Sequence, residues 1–165
     1  LLLMVNVREN GQRIPKPTAL SQQLILNYYA KHKKVEELMN GLIQTARDTG
    51  KATTLFGRTR KMFDINASNY MVRMRAERAS QNMPLQGTAA DIMKIAMISV
   101  DRKLRENKLK SKIVLQVHDE LIVECPENIA PEVAELVSRE MEGIASLKVP
   151  LTAEAKIGKS WYDAK

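Results

Sequence analysis

Ile113-Val-Leu-Gln-Val-His118-Asp119-Glu120-Leu-Ile-Val-Glu124 sets two apolar, β-branched runs on either side of a polar tripeptide. Such runs favour strands, and their close spacing predicts a hairpin with a carboxylate at its bend. A fully buried strand would be apolar throughout, so an acid held there must reach solvent, a partner or a cation. A metal ion is one candidate, and a polar turn of His and Asp is the plain structural reading.

Downstream of this stretch, Pro126-Glu127-Asn128 reads as a turn. Val133, Leu136, Val137, Glu140, Met141 and Ile144 then trace an amphipathic helix with an acidic outer face, Gly143 lying in its last turn. Leu147 to Ala155 alternates loosely as an edge strand interrupted by Pro150, and Trp161-Tyr162 is expected to anchor the C-terminus.

Upstream, Thr88 and Asp91 resemble a capping box that opens a helix carrying Met93, Met97, Val100 and Leu104 on one stripe. Asp91 therefore reads as a helix-starting acid. Before it, a helix from about Tyr70 to Asn82 places Arg75, Arg78 and Asn82 at i, i+3 and i+7, and Pro84 is expected to end or kink it. Two guanidinium groups and an amide on one face suit phosphate and base edges, against the plain reading of an exposed helix face. Lys51 to Phe63 predicts a strand and hairpin tipped by Arg58, Arg60 and Lys61, which serves either as a phosphate grip or as a soluble turn.

Nearer the N-terminus, Val35, Leu38, Met39, Leu42, Ile43 and Ala46 define a helix with a core-facing stripe and Gly50 as its C-cap. Leu20, Leu24 and Tyr28 mark a shorter one after Thr18, its N-cap, interrupted by the basic corner Lys31-His32-Lys33-Lys34. Residues 1–17, with Gly11, Pro15 and Pro17, read as loop or tail. Helices and antiparallel strands without a regular βαβ alternation define an α+β fold.

The 165 residues suffice for about one domain, and 44% hydrophobic with 27% charged residues is ordinary for a globular chain. The formal net charge of +7 is uneven: residues 1–118 hold 21 Lys and Arg against 9 Asp and Glu, while 119–142 hold 1 against 8. A basic first two-thirds suits a phosphate backbone, although a solvated lysine-rich surface has the same composition. Cys125 is the sole cysteine, which excludes an internal disulfide and a cysteine-based zinc cluster and fits a reducing compartment. No apolar run approaches the ~20 residues of a membrane span. The first residue is Leu rather than Met, so a longer polypeptide is expected.

Arg78-Ala-Ser-Gln-Asn82-Met-Pro-Leu-Gln86-Gly-Thr-Ala-Ala-Asp91, followed by Gln116-Val-His-Asp-Glu120, resembles the C-terminal part of a family A DNA polymerase of the bacterial DNA polymerase I group. Thr53-Thr-Leu-Phe-Gly-Arg58, Val149-Pro-Leu and Gly158-Lys-Ser-Trp-Tyr-Asp extend the resemblance to roughly residues 18–165. It implies an antiparallel palm-type sheet with packed helices, preceded by helices from the end of a fingers subdomain. Residues 1–17 are then tail or linker, 18–63 fingers end and basic hairpin, and 64–165 the C-terminal part of the palm. The implied reaction is template-directed nucleotidyl transfer to a DNA 3′ end. Its partners are primer-template DNA, deoxynucleoside triphosphates and the remainder of the polymerase domain, with no membrane.

The same resemblance makes Asp119 a Mg²⁺ ligand in a two-metal site, where hard cations on oxygen ligands clamp the attacking and leaving oxygens. Glu120 would support that site, and His118 would lie near the primer end. Arg75, Arg78, Asn82 and Gln86 would contact the duplex, and Arg58 would be a further phosphate contact. Three family features have no counterpart: the second metal-binding aspartate, the nucleotide-binding fingers helix, and the proline usual before Asp64, where Met62-Phe63 stands. The 165 residues alone are therefore expected to lack polymerase activity, and a non-catalytic duplex-binding remnant is the competing expectation. A bacterial owner implies the cytoplasm and nucleoid, a eukaryotic one an organelle.

Overall fold

The computed structural model describes residues 4–9, 12–17 and 19–164. In chain order these form β1 (Met4–Glu9), β2 (Gln12–Pro17), α1 (Ala19–Lys31), α2 (Lys33–Thr49), β3 (Lys51–Thr53) and β4 (Thr59–Lys61). There follow α3 (Tyr70–Glu106), β5 (Lys112–Val117), β6 (Glu120–Glu124), a 3-10 turn (Glu127–Ile129) and α4 (Ala130–Glu142). Each sheet pairs two consecutive strands, β1 with β2, β3 with β4 and β5 with β6, so the fold is α+β as expected. Two compact units share the chain: residues up to Ala52 with Lys61–Gln81, and Thr53–Arg60 with Asn82 onward.

In the first unit β1 and β2 are antiparallel, with Met4 opposite Pro17 and Glu9 opposite Gln12. This corrects the loop reading for residues 4–9 and 12–17; residues 1–3, 10 and 11 lie outside the described residues. A two-stranded pair leaves half its N–H groups outside the ladder, so the prolines of β2 break less of it than they would in a central strand. Thr18, the expected N-cap, lies outside the described residues. Helices α1 and α2 form where the periodicity places them and break at His32, within the basic corner. The stripe of α1 is not a core stripe, since Leu20, Leu24 and Tyr28 are all more than half exposed. On α2 only Ala46 is fully buried, Val35, Met39, Leu42 and Ile43 are half-buried, and Leu38 is exposed, so that stripe is partly core. Gly50 ends α2 in the left-handed conformation (φ 68°), its N–H donating to Ala46 O at 2.9 Å as a C-cap requires. The first turn of α3 is capped by Asn69, whose Oδ1 accepts from the N–H groups of Met71 and Val72 at 3.0 and 3.2 Å. Arg47 of α2 reaches Glu77 of α3 at 2.6 Å, and the Gln81 amide donates to Met39 O at 3.4 Å.

The second unit holds the larger core. Val100 and Leu104 of α3 pack with Val133, Leu136 and Val137 of α4, and Ile113, Leu121 and Val123 of the β5–β6 hairpin close over them. The register slips by one residue between Ile113 and Leu115, leaving Val114 as the bulged residue. Val114 and Leu115 remain exposed.

Further expectations are corrected here. Pro84 does not break the helix: α3 is one 37-residue helix with Pro84 inside it. Proline removes one helical N–H and crowds the carbonyl four residues back. In this unit the burial of Met83, Met93, Ala96, Val100 and Leu104 on the same helix outweighs that cost. Thr88 and Asp91 are consequently mid-helix and form no capping box. Leu147 to Ala155 forms no strand; its Ala153 N–H donates to Glu142 at 3.0 Å. Trp161 and Tyr162 lie in an exposed turn, closed by Ser160 Oγ donating to Asp163 Oδ2 at 2.6 Å. Gly143 follows α4 as its C-cap instead of lying inside it.

Candidate active site

Val117 pairs with Glu120, so His118 and Asp119 are the two residues of a tight hairpin turn. His118 has φ 53° and is the only one of the two with positive φ, the pattern of a type II′ turn, whose first central position favours glycine. The Gln116 side-chain amide donates to His118 O at 2.7 Å and braces that turn. His118, Asp119 and Glu120 are all exposed, as the opening sequence requires of an acid between two apolar runs. Glu124, at the far end of β6, pairs with Lys112 at 3.1 Å. Among the described residues no three His, Cys, Asp or Glu side chains gather into a metal-binding group. The exposed carboxylates of Asp119 and Glu120 are hard oxygen donors of the type a divalent cation takes.

The other expected site residues lie on α3. Arg75 and Arg78 are exposed in the first unit, and Asn82 and Gln86 are exposed, one helical turn apart, in the second. None of the four has an ion pair among the described residues, so these side chains remain available.

Arg58 is different. Its Nε donates to Asp91 Oδ1 at 2.7 Å and its Nη2 to Gly87 O at 2.9 Å. Thr88 Oγ1 accepts the Leu55 N–H at 2.9 Å and donates back to Pro84 O within the helix. The turn between β3 and β4 is closed on itself by Thr54 N–H to Arg58 O at 2.9 Å and Arg58 N–H to Thr54 Oγ1 at 3.1 Å. The Thr54 hydroxyl beside it, and after it the Arg58 guanidinium, hold the Asp91 carboxyl below the ordinary carboxylate value, against the opposing effect of burial. Gly87 makes this approach possible, since a Cβ there would lie 2.6 Å from Thr54 Cγ2. Gly87, Thr54, Thr88 and Gln116 were not among the expected site residues. A lone glycine inside an apolar helical pattern was the available signal for close backbone approach.

Residues 10–163 match the family described as DNA polymerase family A. The chain belongs to DNA polymerase family A. Its curated relatives in that family include the DNA polymerase I of Caldicellulosiruptor bescii, 50% identical over 143 residues, which is 87% of this chain and 17% of that protein. The thermostable DNA polymerase I of Thermus thermophilus is 44% identical over 141 residues, 86% of this chain and 17% of the relative. Among solved structures, the polymerase domain of Pol1 from M. smegmatis, in complex with DNA primer-template and dNTP, matches with a TM-score of 0.85 and 38% identity. That match covers 88% of this chain and 26% of the other. The family A chain described here thus spans about a sixth of the length of these curated relatives.

Proposed function

We propose that the chain is the C-terminal part of a DNA-directed DNA polymerase, a nucleotidyltransferase that extends a DNA 3′ end from deoxynucleoside triphosphates on a template. The observation that carries this reading is exposed Asp119 on a braced two-residue turn, with exposed Glu120 opening β6, in a chain 50% identical over 143 residues to a DNA polymerase I. Residues 18–63 would be the end of the fingers with the basic hairpin, and 64–165 the C-terminal part of the palm.

Asp119 binds a divalent cation, Mg²⁺ in the working enzyme, and Glu120 supports it from the next position. When bound there, the cation supplies positive charge at the reacting phosphate oxygens. His118 faces the primer end. Arg75 and Arg78 hold the duplex by its phosphates, while Asn82 and Gln86 offer amides to base edges in the minor groove. The second metal-binding carboxylate and the nucleotide-binding helix come from the remainder of the polymerase domain. Support for that partner comes from the exposed apolar side chains Leu20, Leu24 and Tyr28 on α1 and Val114 and Leu115 on β5. No helix among the described residues is long and apolar enough to cross a membrane. Replication and repair in a reducing, nucleic-acid-containing compartment are the roles that follow.

Purified alone, the 165 residues are expected to bind duplex DNA at low salt without adding nucleotides. Joined to the preceding part of a family A polymerase domain, they are expected to restore templated extension, and Asp119→Ala to lower it about a thousandfold. Templated, Mg²⁺-dependent addition by the chain alone, abolished by Asp119→Ala, would refute the incomplete-site reading. A non-catalytic duplex-binding remnant is the second reading, for which the exposed Arg75 and Arg78 suffice without any carboxylate. It requires that the joined chain bind DNA yet extend nothing, with Asp119→Asn without effect on binding and Arg78→Ala weakening it.

A further inference from the structure

We propose that Asp91 is a positioning residue for nucleic-acid binding: by clamping the Thr54–Arg58 turn to α3, it aims the free edge of the Arg58 guanidinium at a DNA phosphate. This rests on the polymerase reading above. A guanidinium carries five N–H donors in a rigid fork. Asp91 Oδ1 takes the Nε donor and Gly87 O takes one on Nη2, so three remain, on a side chain that is 47% exposed. Asp91 itself is almost buried, its side chain 10% exposed.

The clamp has further points of attachment. Thr88 holds the Leu55 N–H, and the turn closes on itself through Thr54. Gly87 lets the turn approach the helix, for a Cβ there would meet Thr54 Cγ2 at 2.6 Å and Arg58 Nη2 at 3.3 Å. Holding a guanidinium in one orientation before the ligand arrives removes an ordering cost from binding. A surface that only gathered cations for phosphate would do better without an acid beside Arg58. Because Asp91 subtracts a positive charge from that surface, its two conceivable effects on DNA binding have opposite signs.

The test uses the full chain and a fluorescent primer-template duplex, with anisotropy read across a salt series and melting curves to verify folding. Asp91→Ala is expected to weaken binding about tenfold although it removes a negative charge. Asp91→Asn removes the same charge but keeps an oxygen acceptor, and is expected to recover part of the loss. Arg58→Ala is expected to weaken binding similarly and to reduce the salt slope by about one, and the double variant to be no weaker than Arg58→Ala. Unchanged or tighter binding by folded Asp91→Ala overturns the proposal. If that variant does not fold, Thr88→Val is read instead: it detaches Leu55 while leaving Asp91, and a smaller loss is expected, with no loss counting as refutation. Arg78→Ala separates the two levels. If it weakens binding while Arg58→Ala and Asp91→Ala do not, the positioning role fails alone; if none of the three weakens binding, the DNA-binding reading fails.

Discussion

His118 holds a left-handed backbone conformation that costs an L-residue about 1 kcal/mol, at a turn position where glycine would sit freely. Such strain persists where the side chain is needed for something other than folding. His118→Gly is therefore expected to stabilise the chain by up to about 1 kcal/mol in urea denaturation, since relief of strain outweighs the extra freedom of glycine when unfolded. It should at the same time reduce primer extension by the joined polymerase. A destabilised variant with full activity would contradict that account. Asp91 offers a second check at this scale. Its folded carboxyl titrates below its unfolded value, so its contribution to stability is present above about pH 4 and is lost as pH falls through the folded value. Wild type should melt above Asp91→Asn at pH 6, and the two curves should converge in acid.

Among the elements, α3 carries the largest consequences. Leu104 is 1% exposed in the packing between α3 and α4, and Leu104→Ala is expected to cost 2–5 kcal/mol, read as a shift in the denaturation midpoint. Gly87→Ala would add a helix-favouring methyl and still destabilise, because that methyl overlaps Thr54; a gain in melting temperature would show that the turn can retreat from the helix. The two residues also mark what could be read in the sequence. Leu104 belongs to a stripe whose 3.6-residue period survives any context, and the β5–β6 hairpin was equally plain because two apolar runs flank one polar tripeptide. Of the two outcomes expected at Pro84 the helix end does not occur, because local preference stops a helix there whereas burial on the residues after it continues the helix. Asp91 was misread for the same reason: once Pro84 no longer starts a new helix, its carboxylate has no N-terminus to cap and finds Arg58, 33 positions away. The strand assigned to Leu147 to Ala155 failed because strands are defined by partners, and alternation alone names none. The exposed place of Asp119 at the hairpin bend is legible in the sequence, while the Gln116 brace and the Gly87 approach depend on which atoms meet across turns.

For the whole molecule the uneven charge matters most. Exposed Arg75 and Arg78 are expected to contribute to a log Kd that rises with log salt, and Arg75→Ala with Arg78→Ala should reduce that slope by about two. A slope unchanged in the double variant would remove both from the phosphate contacts. The three sheets have two strands each, so among the described residues every strand has one lateral rim that no other strand pairs. Such rims are templates on which a neighbouring molecule can lay a strand of its own, and stacking of that kind propagates. The β5–β6 hairpin carries two features that hinder it, the Val114 bulge that interrupts the regular spacing and the Lys112–Glu124 charge pair at its open end. Colloidal behaviour in concentrated solution is thus expected to depend on this irregularity: straightening the bulge should make the rim a better template for a neighbour's strand, read as a rise in light scattering with concentration.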